Sequence, residues 1–378
     1  MLTMHPTLLI GPYDWDPQLL PEAEFYERLQ SLRAQLSNND IACAIVYGDS
    51  CNHAELLYLS NFLPKLGPAL LLIPRDGAPT LLVSGAPNML AAARCMTWVE
   101  KTMPLRDPEE IVRRWLEGIG DSTASSAQPR AVVIGGEAMS GALYKALGEV
   151  VGAQAFAPDA TLLLHEIMQR SRPVELQLIR QGCAILTAAT QALEHAVANR
   201  ANASAALLTA ESAARRAGAQ DVRALLSLDG GRTLRPFEQL VERIVEPLQA
   251  YLAVRFAGYW VDGFVHLSAA PQPVAGRARD ALATVIANAR AGVKWRELHQ
   301  LASAGIQPFG AHAMVERAIG SRAGLSLVEV PADDNAALQA GSIYSLRVGA
   351  SGESTQHAIV SALVRIHDQG NDLLWPAI

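Results

Sequence analysis

Apolar positions along this chain follow two alternating patterns, short unbroken runs and longer stretches with helical spacing. Ile41-Ala-Cys-Ala-Ile-Val-Tyr47 is a run of the first kind, closed by Gly48-Asp49, and predicts a buried strand. Pro68-Ala-Leu-Leu-Leu-Ile-Pro74 and Thr80-Leu-Leu-Val-Ser84 flank Arg75-Asp-Gly-Ala-Pro79, which predicts a hairpin turning on Asp-Gly. Arg130-Ala-Val-Val-Ile-Gly135 predicts a further strand. Between them, Pro108-Glu-Glu-Ile-Val-Arg-Arg-Trp-Leu116 opens a helix whose first-turn acids suit the macrodipole. Strands alternating with helices imply an α/β layer, and the polar stretch 121–129 reads as a surface loop within it.

The pattern changes after Met168-Gln-Arg-Ser-Arg-Pro173. Pro173-Val-Glu-Leu-Gln-Leu-Ile-Arg180 starts a long helix with proline in its first turn. An alanine-rich helix is expected at about 203–217 and another near 277–291, with strands over 251–256, 259–267, 343–348 and 358–366. Two domains are therefore expected, an α/β domain over residues 1–165 and an α+β domain over 166–378.

Half of the 378 residues are hydrophobic and 18% are charged, enough to bury a large core and to hide surface in an oligomer. A net charge of -6 without basic clusters leaves no footprint for nucleic acid. No run approaches a membrane span, and the first residues do not read as a signal peptide. Four scattered cysteines, Cys43, Cys51, Cys95 and Cys183, point to reduced thiols and a cytoplasmic protein. Familiar catalytic motifs are missing. Asp229-Gly-Gly-Arg232 is too short for a phosphate loop, Gly135-Gly-Glu-Ala-Met-Ser-Gly141 misses the dinucleotide fingerprint, and no Gly-x-Ser-x-Gly elbow occurs. Cys51 and His53 are near in sequence but do not make a catalytic pair.

Three segments carry more information in their order than singly. They are Gly258-Tyr-Trp-Val-Asp262, Gly324-Leu-Ser-Leu-Val-Glu329-Val-Pro331, and Gly341-Ser-Ile-Tyr-Ser-Leu-Arg347-Val-Gly349. Together they resemble the active-site half of the aminopeptidase P/creatinase, or pita-bread, family. Tyr47-Gly-Asp, Tyr58-Leu-Ser-Asn-Phe62 and the 73–79 hairpin resemble its creatinase-type N-terminal domain, and 171–180 the helix that opens its C-terminal domain. The resemblance implies an α/β creatinase-type domain, an α+β pita-bread domain, and a homodimer.

For most of the family it also implies two divalent metals bridged by two aspartates, one histidine and two glutamates, which suit hard cations and hydroxide generation. Matched residue by residue, Asp262 is the only ligand kept. The first aspartate falls at Tyr251, with Ala253 and Arg255 beside it, and Ser321 or a neighbour replaces the histidine. Arg347 stands at the first glutamate, and Gln356, His357 and Ile359 are candidates for the second. A fixed guanidinium repels metal further, so neither a metal nor another cofactor is expected. Creatinase itself works without metal, but the matching segment 226–237 lacks the histidine that this comparison implies.

The residues that remain suggest a repurposed pocket. His266 and Asp262, at i and i+4 on one strand, share a face and are expected to transfer protons together, unless His266 is a packed strand-end histidine. Glu329 is a catalytic candidate that could partner Arg347, or else forms a structural ion pair with it, and His357 is a further catalytic candidate or an edge histidine. Arg347, Tyr251 and His312 are the candidate substrate-binding residues. The expectation is a metal-independent enzyme acting on a small amino-acid-like or guanidino-like carboxylate, by C–N cleavage or related proton transfer. The alternative is a non-catalytic homodimeric scaffold of the same family.

Overall fold

The computed structural model describes residues 15–85, 87–123, 129–157, 159–227, 229–236, 247–304, 306, 320–326, 335–352 and 356–375. The chain divides into two compact units between Met168 and Gln169.

In the first unit, α1 (Glu22–Asn38) precedes β1 (Cys43–Gly48), which is buried at every position, as an unbroken apolar run requires. After α2 (Ala54–Ser60), β2 (Ala69–Pro74) and β3 (Thr80–Val83) form the expected antiparallel hairpin, with Gly77 at φ 110° in its turn. Then come α3 (Pro87–Met96), β4 (Lys101–Pro104), α4 (Pro108–Thr123), β5 (Ala131–Ile134), α5 (Gly141–Val151) and α6 (Asp159–Met168). The sheet has the order β4-β3-β2-β1-β5, with β5 parallel to β1 and β4 parallel to β3. One face buries Ile45, Leu70, Leu82 and Val133 against Val112 and Leu116 of α4 and Leu147 of α5. Of the stretch expected as a loop over 121–129, residues up to Thr123 belong to α4. A helix already nucleated gains one bond per added residue, so polar positions can extend it.

The second unit opens with α7 (Pro173–Ala198) and α8 (Ala203–Arg216). Pro173 sits in the first turn of α7, where its missing N–H costs nothing, and the Glu175 carboxylate accepts from the Arg172 backbone N–H at 2.8 Å. One sheet follows from β6 (Asp221–Ser227), β7 (Arg235–Pro236), β8 (Leu248–Phe256) and β9 (Tyr259–Leu267), in the order β7-β6-β8-β9. Next come α9 (Pro273–Asn288), α10 (Trp295–Ser303), β10 (Gly320–Arg322), β11 (Ile343–Ser351), β12 (His357–His367) and β13 (Gly370–Trp375). The last four strands form a second antiparallel sheet in numerical order. Helix α9 begins earlier than the apolar spacing suggests, at Pro273, again a first-turn proline. Strand β6 is not evident from the sequence.

Helix α7 packs on the β8–β9 sheet so closely that a Cβ on Gly182 would lie 3.1 Å from Val261. Helices α9 and α10 cover the second sheet through Leu282, Val285, Trp295 and Leu298 against Leu346, Val348 and Val364. The two sheets meet along β9 and β12, where side chains make the bonds between separate backbone ladders. Ser361 Oγ accepts from the Phe264 N–H at 2.8 Å. The Gln249 amide donates to the Ile359 carbonyl at 3.0 Å and accepts from the Ile359 N–H at 2.9 Å.

Candidate functional site

The register of β8 and β9 is set by their turn. Ala257 and Gly258 both have positive φ, 45° and 86°, as a two-residue type I′ turn requires. Directly opposed residues of an antiparallel pair share a face. On one face this gives four cross-strand rows: Asp221–Arg255–Trp260, Arg223–Ala253–Asp262, Leu225–Tyr251–Phe264, and Ser227–Gln249–His266. Phe264 packs against Ile359 of β12, so this face looks towards the matching face of β11 and β12, which carries Arg347–Ser361, Gly349–Ile359 and Ser351–His357.

Asp262 and Arg347 meet across this cleft. Both are buried, at 7% and 2% exposure. The Tyr251 hydroxyl donates to Asp262 Oδ2 at 3.1 Å, and the Arg347 guanidinium lies 5.9 Å from the centre of the Phe264 ring. Burial pushes the Asp262 carboxyl above its usual range, against the opposing pull of Arg347, Ser345 and Tyr251. The Ser345 hydroxyl contributes to that pull from nearby while lying outside hydrogen-bonding geometry. Burial and the Asp262 charge push the Tyr251 phenol up as well, so it stays a proton donor. In the same row as Asp262, exposed Arg223 lies 4.8 Å over the Trp260 ring.

His266 is not a partner of Asp262. Four residues along a strand separate them by about 13 Å, and Phe264 stands between. Its Nδ1 instead lies 3.3 Å from Gln249 Oε1. Gln249 is oriented by its other bonds, donating to the Val265 and Ile359 carbonyls at 3.0 Å each and accepting from the Ile359 N–H. Its oxygen therefore faces His266, so Nδ1 carries the proton and Nε2 presents a lone pair. That Nε2 is buried without a hydrogen-bond partner. Burial, then the charge of Arg279, lowers the imidazole to about 4, which keeps it neutral.

The other expected residues fall as follows. His357 sits at the His266 end of the cleft face. Its Nδ1 is 3.3 Å from Ser351 Oγ, and its backbone N–H donates to the Gly230 carbonyl at 3.0 Å. Burial and Arg232 lower its pKa, against Asp229. Ser321 lies on β10 opposite Ser345. Glu329 and His312 lie outside the described residues. The structure thus brings Asp262, Tyr251 and Arg347 together and places His266 and His357 apart from them. Gln249 was missed because one glutamine within an apolar strand carries no signal of its own. Arg223 and Ser345 become visible only once the register is known.

Among the described residues, no group of three or more His, Cys, Asp or Glu side chains could hold a metal ion. Around Asp262 the described neighbours are a phenol, a hydroxyl and a guanidinium. One carboxylate beside a fixed cation does not fit a pair of divalent ions. The arrangement can bind an anion and can hold or release one proton.

Residues 28–166 match the creatinase/prolidase N-terminal domain. That match lies within the first unit. No curated protein matches the chain significantly. Over the whole length, an Xaa-Pro dipeptidase from Bacillus anthracis superposes with TM-score 0.72 at 15% identity, covering 93% of this chain and 97% of its own. A prolidase from Pyrococcus horikoshii gives 0.72 at 15% identity, covering 92% and 97%. An X-Pro aminopeptidase from Thermotoga maritima gives 0.71 at 16% identity, covering 92% and 97%. At such identities the likeness is one of fold: a creatinase/prolidase-type domain followed by a pita-bread domain. Among the described residues no helix is long and apolar enough to cross a membrane.

Proposed function

We propose that this pita-bread protein binds and transforms a small carboxylate-bearing molecule between β9 and β11, without the paired metals used by most of the family. The observation that carries this reading is Arg347, buried against Phe264 beside Asp262. Besides Arg347, the face that bears Asp262 carries Arg223 and Arg255 against the carboxylates of Asp262 and Asp221, Arg255 lying 3.8 Å from Asp221, and burial favours protonation of Asp262. Arg347 takes the substrate carboxylate, in the two-pronged geometry that a guanidinium favours. Tyr251 and Asp262 exchange a proton with the reacting atoms. An amino-acid-like or guanidino-like substrate fits this layout. C–N cleavage suits a fold shared with an Xaa-Pro dipeptidase and an X-Pro aminopeptidase.

The test is a thermal-shift screen against amino acids, dipeptides and guanidino acids, since a ligand that binds only the folded state raises apparent stability. Hits are then followed for product by mass spectrometry. Arg347→Met should abolish the shift, and Asp262→Asn should keep binding while losing turnover. A shift unchanged in Arg347→Met sinks the assignment, and stoichiometric cleft metal with activity lost on chelation sinks its metal-free part. The near-complete burial of Asp262 and Arg347 favours a second reading, a homodimeric scaffold with a sealed cleft. That reading requires binding of a partner without turnover, and a dimer by light scattering.

A further inference from the structure

Arg223 projects from β6, in the row that continues through Ala253 of β8 to Asp262 of β9. Its backbone and that of Asp262 are two strand spacings apart, about 10 Å. Ala253 between them offers only a methyl group. That lets the long arginine stem cross β8 and bring its guanidinium to 4.8 Å from the Trp260 ring. Arg255 lies 5.1 Å from the same ring, but its charge is met by Asp221 at 3.8 Å. Arg347 likewise acts on Asp262, whereas Arg223 is stacked on an aromatic side chain and exposed. Tyr251 and Leu225 are half-buried beside it, while Asp262 and Arg347 are buried. A molecule approaching Asp262 along this face therefore meets Arg223 and Tyr251 first.

Burial and the Asp262 charge raise the Tyr251 phenol, and the charges of Arg347 and Arg223 pull the other way. Both guanidiniums thus lie near one hydroxyl, Arg347 on the buried side and Arg223 on the exposed side. Two permanent cations flanking a hydrogen-bond donor suit a small molecule with an anionic group at each end. Contact with an indole face steadies a guanidinium without consuming its N–H donors, which stay available to a carboxylate. We propose that the cleft takes a dicarboxylic acid of the amino-acid type, aspartate- or glutamate-like, and that Arg223 selects its second carboxylate; this rests on the reading that Arg347 holds the first. Arg223 is then a specificity residue. It touches the far end of the substrate and leaves proton transfer to Tyr251 and Asp262.

The test is calorimetric titration of the whole chain with L-aspartate against L-asparagine and L-glutamate against L-glutamine, pairs of nearly equal shape that differ by one charge. At least one acid should bind saturably, about tenfold tighter than its amide, the effect of one charge-assisted hydrogen bond of roughly 1.4 kcal/mol. Arg223→Gln should bring acid and amide to similar affinity without weakening the amide. Arg223→Lys, which keeps the charge, should retain part of the preference. Arg347→Met should abolish binding of all four; Arg223→Gln, at an exposed position, still decides should that variant fail to fold. A purely structural stack on Trp260 would leave the acid-to-amide ratio unchanged in Arg223→Gln, and that result overturns the proposal. Equal binding of acid and amide by the parent also overturns it, as does no saturable binding of any of the four at millimolar concentration. Equal binding that vanishes in Arg347→Met leaves the cleft reading standing alone. An acid preference that survives Arg347→Met overturns both.

Discussion

Gln249→Leu tests the contact between the two sheets of the second unit. The parent amide is fully buried and makes four good contacts: donation to Val265 O and Ile359 O at 3.0 Å, acceptance from Ile359 N at 2.9 Å, and from His266 Nδ1 at 3.3 Å. Leucine nearly matches its shape and removes every one. The Ile359 N–H and the His266 Nδ1–H are left without acceptors in a place water does not reach. At roughly 1–3 kcal/mol for each buried orphan, and with a small gain from the added apolar surface, the variant should lose roughly 3–5 kcal/mol. That is a large share of the 5–15 kcal/mol typical of a folded protein. Urea unfolding at neutral pH, followed by tryptophan fluorescence, measures it. Gln249→Glu should fall between the two, because a carboxylate still accepts from Ile359 and His266 but no longer donates. A leucine variant within about 1 kcal/mol of the parent, with an unchanged denaturant slope, would refute the reasoning.

Two further outcomes follow from the same region. His266 should make stability depend on pH. Its pKa falls from 6.5 in the free side chain to about 4 in the fold, so between those values the unfolded chain binds more protons. Stability from this residue is complete above 6.5 and drains away as pH falls towards 4, by about 3 kcal/mol in total; the loss should shrink by about one proton's worth in His266→Asn. Gly263→Ala would push a methyl group to 2.3 Å from the Trp375 ring. It should cost about 1–3 kcal/mol and red-shift the tryptophan emission as Trp375 is displaced; an unshifted spectrum with parental stability contradicts that packing.

Much of the fold was legible because burial leaves a period in the sequence. The unbroken run ending at Tyr47 became a fully buried strand, and Asp76-Gly77 between two apolar runs became the β2–β3 turn. Pro173 marked the start of α7 because proline is at home where a helix has no N–H to satisfy. Strand β6 went unseen because its burial is only partial, which leaves no clear alternation to read. The far reach of α4 was hidden for a related reason, since polar residues extend a helix without an apolar stripe.

The site divides along the same line. Sequence alone determined which side chains are present: a single aspartate at position 262, an arginine at 347 and a tyrosine at 251. It also determined that Asp262 and His266 share a strand face. Tertiary structure decided who meets whom. Register joined Tyr251 to Asp262, the facing sheet brought Arg347 alongside, and Gln249 claimed His266. The physical reason is range. Strand period and turn chemistry act over neighbouring residues, whereas hydrogen bonds and desolvation depend on groups the chain brings together from far apart, as with Gln249 and Ile359, 110 residues from one another.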